Sequence, residues 1–122
     1  MKRRKRILIV EDHKMNLELL RDLLEYHGYD VIDASDGESG IEKAMEHKPD
    51  LILMDIALPG INGFEAADEI KSRALIKDIP LLAVTSSVMQ SDVEQIFQHG
   101  FTDLVPKPVN TREFLQTIKK YF

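Results

Sequence analysis

The chain has 122 residues, 43% of them apolar and 30% charged, with a net charge of −5. That balance suits one globular domain with a real core and argues against disorder. There is no cysteine, which excludes disulfide frameworks and zinc–thiolate sites.

The chain opens on a basic run, "KRRKR" at residues 2–6, which holds five of the 16 basic residues. The remainder carries 11 basic against 21 acidic residues. An acidic body with a basic tip makes a poor nucleic-acid binder, so no nucleic-acid partner is expected. The run reads as a solvated lead-in to the first strand. No apolar run approaches membrane-spanning length and the N-terminus lacks an apolar signal segment. No membrane association and a cytoplasmic location are therefore expected.

"ILIV" (7–10) is the first strand-like run, and Glu11 and Asp12 follow it. Leu17, Leu20 and Leu24 then share a helical face that should stop at Gly28. "VIDA" (31–34) is the second strand. Ser35 with Glu38 marks a helix start, and Ile41, Ala44 and Met45 line that helix. "LILM" (51–54) runs straight into Asp55, before a Pro59-Gly60 turn. Asn62 with Glu65 opens a third helix, on which Phe64 and Ala67 pair. "LLAV" (81–84) leads to Thr85 and Ser86. Ser91 with Glu94 marks the next helix, lined by Val93, Ile96 and Phe97 and closed at Gly100. "DLVP" (103–106) leads to Lys107 and Pro108, and Phe114 and Ile118 share the face of a last helix. Met15, Met45, Met54 and Met89 read as packing residues. His13, His27, His47 and His99 lack metal-ligand spacing and read as surface residues.

Five alternating β-α units predict an α/β fold: a doubly wound, five-stranded parallel sheet with helices on both faces. The first, third and fourth runs are wholly apolar, as doubly covered strands should be. The second carries Asp30 and Asp33 and the fifth contains Pro106, which suits edges. With right-handed crossovers the order is 2-1-3-4-5. It reverses between strands 1 and 3, and ligands in such sheets bind beyond the strand C-termini at that point.

Glu11, Asp12, Asp55, Thr85, Ser86 and Lys107 all fall at that edge. Three adjacent carboxylates repel one another, so either one takes up a proton or a cation sits among them. An all-oxygen site suits Mg²⁺ or Mn²⁺. Such a cluster beside a lysine and a hydroxyl suits the holding of a phosphoryl group, with Asp55 the best nucleophile because a carboxylate can form an acyl phosphate.

The motifs "LIVED" (8–12), "LILMDIALPGINGFE" (51–65), "AVTSS" (83–87) and "KP" (107–108) together resemble the receiver domain of two-component response regulators, over essentially residues 1–122. The resemblance implies a flavodoxin-like receiver fold and a phosphorelay role rather than an enzyme with turnover. It implies Asp55 as phosphoacceptor, Asp12 as direct Mg²⁺ ligand, Glu11 as a ligand through water and Ala57 as a carbonyl ligand. Thr85 resembles the switch hydroxyl, Ser86 a contact of the phosphoryl group and Lys107 the lysine that binds Asp55. The peptide before Pro108 is expected to be cis. The implied partners are a histidine kinase or histidine phosphotransfer protein as donor, and a downstream protein at the face of the fourth helix, fifth strand and fifth helix.

Leu104 stands where the family usually has an aromatic residue, and Ala57 and Ser87 are small at positions that tune acyl-phosphate hydrolysis. The chain stops just after the fifth helix, as expected of a single-domain regulator or of the receiver portion of a longer one. Two other functions share parts of the pattern. An aspartate-nucleophile phosphatase of the haloacid-dehalogenase type needs a second Asp at position 57, which is Ala. A flavin or nucleotide binder needs glycines and hydroxyls in the first loop, where "EDHKMN" presents two acids.

Overall fold

The structure is a computed structural model and describes residues 3–122. Ten elements alternate: β1 (Arg6–Val10), α1 (Lys14–Tyr26), β2 (Asp30–Ala34), α2 (Gly37–His47), β3 (Leu51–Asp55), α3 (Gly63–Lys71), β4 (Leu81–Thr85), α4 (Gln90–Gln98), β5 (Asp103–Pro106) and α5 (Thr111–Lys119). All strand pairs are parallel and the order is β2-β1-β3-β4-β5, as the edge residues predicted. Pro106 is exposed on edge strand β5. Asp33 on edge strand β2 pairs with Arg21 of α1.

Strand alternation divides the interior in two. Leu8, Val10, Ile52, Met54 and Ala83 face α2, α3 and α4, meeting Ile41, Ala67, Ile70 and Ile96. Ile7, Ile9, Leu51, Leu53 and Val84 face α1 and α5, meeting Leu20, Leu24, Phe114 and Ile118. Each fully buried aliphatic or aromatic side chain here contributes about 1.5–3 kcal/mol, so the apolar runs that identify the strands also hold the helices on them.

Several local expectations change. The cap of α2 is Asp36, whose side chain accepts from the Ser39 amide at 2.8 Å, and not Ser35. Both residue types cap well. A Cβ on Gly37 would lie 2.6 Å from Ile61 Cγ1, so glycine fits at the first helical position. Helix α4 begins at Gln90 after Met89, without a side-chain cap, so the expected Ser91–Glu94 box is absent. Asn62 and Glu65 do form a full capping box on α3. Gly28 and Gly100 end α1 and α4 with φ of 91° and 90°, a conformation glycine adopts without steric cost. Met54 is buried, but Met15 and Met89 are 84% and 69% exposed and do not pack. Phe97, at 47%, is also largely outside.

The basic lead-in is solvated, as expected, with Arg3, Arg4 and Lys5 exposed, and it makes two surface ion pairs, which contribute little. Arg3 lies 3.2 Å from Asp50 and Arg4 3.9 Å from Asp30. Lys2 falls outside the described residues.

Candidate functional site

Four strands deliver side chains to the C-terminal edge of the sheet. Glu11 follows β1, and its amide donates to Ala34 O of β2 at 3.0 Å, which continues the ladder by one residue. Its carboxyl is therefore drawn inward and is only 3% exposed. Asp12 and His13, one step further, are exposed.

Asp55 ends β3 and is also 3% exposed. Its Oδ1 accepts from the Ala57 amide at 2.9 Å and its Oδ2 from Lys107 Nζ at 2.8 Å. The turn after it is set by Gly63. A Cβ there would lie 2.6 Å from Ile56 Cα and 2.7 Å from Asp55 O. Glycine lets α3 start against the strand end, and its amide bonds Ile56 O at 2.9 Å.

Lys107 follows β5. Its amide bonds Thr85 O at 2.7 Å, and the peptide to Pro108 is cis, as expected. Its ammonium lies 3.7 Å from Glu11 Oε1 as well as beside Asp55. The Thr85 hydroxyl, at the end of β4, donates to Ser87 O and accepts from the Ser87 amide, both at 3.1 Å. Ser86 is exposed at the rim. Asp55, Ala57, Thr85, Ser86 and Lys107 line one pocket of about 190 Å³.

The electrostatics separate the two buried acids. Burial, and then the neighbouring Asp55 carboxylate, push Glu11 up to about 7. Burial acts on Asp55 in the same sense, but the Glu11 carboxyl, the Lys107 ammonium and the Ala57 amide outweigh it and hold Asp55 below the usual carboxylate range. Lys107, despite its own partial burial, is raised by the same two acids. Neither Glu11 oxygen has a hydrogen-bond partner among the described residues. A buried carboxyl with an ammonium at 3.7 Å but no hydrogen bond is costly.

Glu11, Asp12, His13 and Asp55 each offer a ligand atom, and these atoms lie within 4.8 Å of one another. Three of the four residues are carboxylates, and both oxygens of buried Glu11 are unsatisfied, which fits a hard divalent cation. The fold thus brings together Glu11, Asp12, Asp55 and Lys107, with Ala57, Thr85 and Ser86 around them.

Three further residues at this edge had no sequence signal. Phe64, Asp92 and Ile96 line the pocket, and His13 adjoins the acids. His13 and His27 are exposed, as expected, and His47 and His99 are half-buried; His99 Nδ1 lies 2.8 Å from Asp68 Oδ1 and its ring 4.7 Å from that of Phe64. The i,i+3 and i,i+4 periods that identify α3 and α4 say nothing about which of their residues face the strand ends.

Residues 7–119 match the family model for the response regulator receiver domain. The chain is 42% identical over 117 residues to the polar-differentiation response regulator DivK of Brucella anthropi, covering 96% of this chain and 95% of that one. Its structure is similar to the chemotaxis response regulator CheY4 of Vibrio cholerae, with a TM-score of 0.93, 25% identity and coverage of 98% and 100%. It is similar also to the receiver domain of a sensor histidine kinase from Pseudomonas aeruginosa with a magnesium ion coordinated in its active site cleft. There the TM-score is 0.90, with 30% identity and 98% of each chain covered.

Proposed function

The chain belongs to the response regulator receiver family, and from that premise we propose that Asp55 accepts a phosphoryl group in a Mg²⁺-dependent reaction. The family's work is phosphorelay signalling, and this is a signalling protein with the CheY-like receiver fold. We read residues 1–122 as one receiver domain.

One observation carries the reading of Asp55. It is a buried carboxylate kept ionised by Lys107 at 2.8 Å, beside a second buried acid whose oxygens lack partners. In the transfer, an Asp55 oxygen forms a bond to phosphorus as the donor's histidine N–P bond breaks. The imidazole leaves with the electron pair. Lys107 stays with Asp55 and the phosphoryl oxygens, so charge is offset by a group already in place. The Ala57 amide fixes one Asp55 oxygen and so the approach of the other. Thr85 and Ser86 stand at the pocket wall, where the Ser86 hydroxyl, and the Thr85 hydroxyl once freed from Ser87, meet phosphoryl oxygens.

Glu11, Asp12, Asp55 and the Ala57 carbonyl would hold the cation. When bound, Mg²⁺, or Mn²⁺ in its stead, offsets the charge of the acids and of the transferring oxygens. The donor is a histidine kinase or a histidine phosphotransfer protein, encountered in the cytoplasm. A downstream protein docks on the α4–β5–α5 face. Exposed Phe97 on α4, with Val88 and Met89 just before it, supports that assignment. Ala57 at the position where a phosphatase needs its acid argues against turnover of phosphomonoesters.

The test is intact-protein mass spectrometry after incubation with acetyl phosphate. The mass of one phosphoryl group should appear with Mg²⁺, be absent with chelator, and be absent in Asp55→Asn. An adduct that persists in Asp55→Asn contradicts the assignment.

A further inference from the structure

The loop from Thr85 to α4 is closed by a chain of side-chain contacts. The Thr85 hydroxyl makes both of its hydrogen bonds to Ser87, to the carbonyl and from the amide, at 3.1 Å each. Ser87 Oγ in turn donates to Asp92 Oδ2, in the first turn of α4. Asp92 is half-buried and lines the same pocket as Asp55 and Lys107. Helix α4 has no side-chain cap of its own, since Met89 precedes it. The Ser87–Asp92 bond is thus the side-chain tie between the loop and the helix start. An acid at this place also complements the positive end of the helix, and a carboxylate oxygen is a strong acceptor for the Ser87 hydroxyl.

We propose that Asp92 is a positioning residue for the phosphoryl switch. By holding Ser87, it keeps the Thr85 hydroxyl engaged in the loop and so sets how readily that hydroxyl is released toward the phosphoryl pocket. The proposal rests on the reading of Asp55 as phosphoacceptor. Release of Thr85 requires Ser87 to give up both of its bonds to the hydroxyl. Ser87 cannot move freely while its own hydroxyl is anchored to α4. The movement of one hydroxyl is therefore transmitted to the start of a helix, and the state with Thr85 released is favoured when the anchor is removed.

The test uses beryllofluoride with Mg²⁺ as the phosphoryl mimic, titrated by calorimetry, on Asp92→Ala, Ser87→Ala, the double variant and Asp92→Asn. Loss of one hydrogen bond that opposes release should tighten binding about two- to tenfold in each alanine variant. The double variant should be no tighter than either single, because both remove one bond. Asp92→Asn keeps an oxygen acceptor and should stay within about twofold of the wild type. A merely structural role would weaken binding or leave it unchanged. Equal affinities throughout overturn the proposal. So does tightening in Asp92→Asn with none in Ser87→Ala, since that result assigns the effect to charge. If the wild type binds no beryllofluoride, it is the phosphoacceptor reading that fails. The latch is then decided in the free protein, by amide exchange at residues 86–93. Equal acceleration in Asp92→Ala and Ser87→Ala supports it, and unchanged exchange overturns it.

Discussion

Lys107 Nζ sits 2.8 Å from Asp55 Oδ2, joining the end of β5 to the end of β3 across intervening β4. It is the cation that allows two carboxyls, Asp55 and Glu11, to be buried side by side. Replacing Lys107 with Met should remove that offset while keeping the stem's packing. Breaking a fully buried pair costs about 3–5 kcal/mol; with Lys107 23% exposed, a loss of about 1–3 kcal/mol is expected in urea unfolding. The extra negative charge should at the same time tighten Mg²⁺ binding, read by titration. Weaker Mg²⁺ binding would mean that the lysine is not a competitor for the acids.

Glu11 predicts an unusual pH profile. Burial raises its folded pKa from 4.5 to about 7, so between those values the folded protein holds a proton that the unfolded chain has lost. Without metal, stability should therefore fall as pH rises through this window, by on the order of 2–3 kcal/mol. Asp55 acts oppositely. Its folded pKa lies below 3.8, so its contribution is present above that value and is lost in acid. Thermal unfolding in chelator should show the decline toward neutral pH, and Mg²⁺ should reverse it. A metal-free protein whose stability is flat from about pH 5 to 8 would contradict the assignment of Glu11.

Much of this edge was legible in the sequence because its residues sit directly after apolar runs. A strand end fixes where Glu11, Asp55, Thr85 and Lys107 must be to within a residue. Asp30, Asp33 and Pro106 identified the edge strands for the same local reason. Asp92 was not legible. It looks like any acid in a first helical turn, and only the packing of α4 brings it to Ser87 and to the pocket that Asp55 lines. Ser35 and Asp36 were equally good caps by residue type, and local sequence did not choose between them. Met15 and Met89 have the composition of core residues, but one lies on the outer face of α1 and the other in the exposed turn before α4.

Gly63 should be the least replaceable glycine. In Gly63→Ala the new Cβ meets backbone atoms at 2.6 and 2.7 Å, which cannot rotate away. A loss of about 1–3 kcal/mol is expected, together with slower phosphorylation, because the displaced atoms carry Asp55. Gly28→Ala has open space and only the strain of φ 91°, so it should cost about 1 kcal/mol and leave the phosphorylation rate unchanged. Equal rates in the two variants would show that α3 does not fix Asp55.

Thr85→Ala should separate acceptance from response. Lys107 and the acids remain, so Asp55 still takes up phosphoryl. The loop loses both hydroxyl bonds to Ser87 and cannot hold a phosphoryl oxygen through that hydroxyl. Amide chemical shifts of residues 86–98 should then respond much less to beryllofluoride than in the wild type. Leu104 is half-buried against the α2–α4 side of the core, and Leu104→Ala should cost about 1–3 kcal/mol while leaving that response intact. The reverse pattern would place the switch at Leu104.

An acyl phosphate on Asp55 can be located directly. After incubation with acetyl phosphate and Mg²⁺, borohydride reduces an aspartyl phosphate to homoserine, which peptide sequencing by mass spectrometry locates. Homoserine at position 55 and nowhere else is the predicted result. Homoserine at position 12, or unmodified Asp55 in protein that has gained phosphoryl mass, would contradict it.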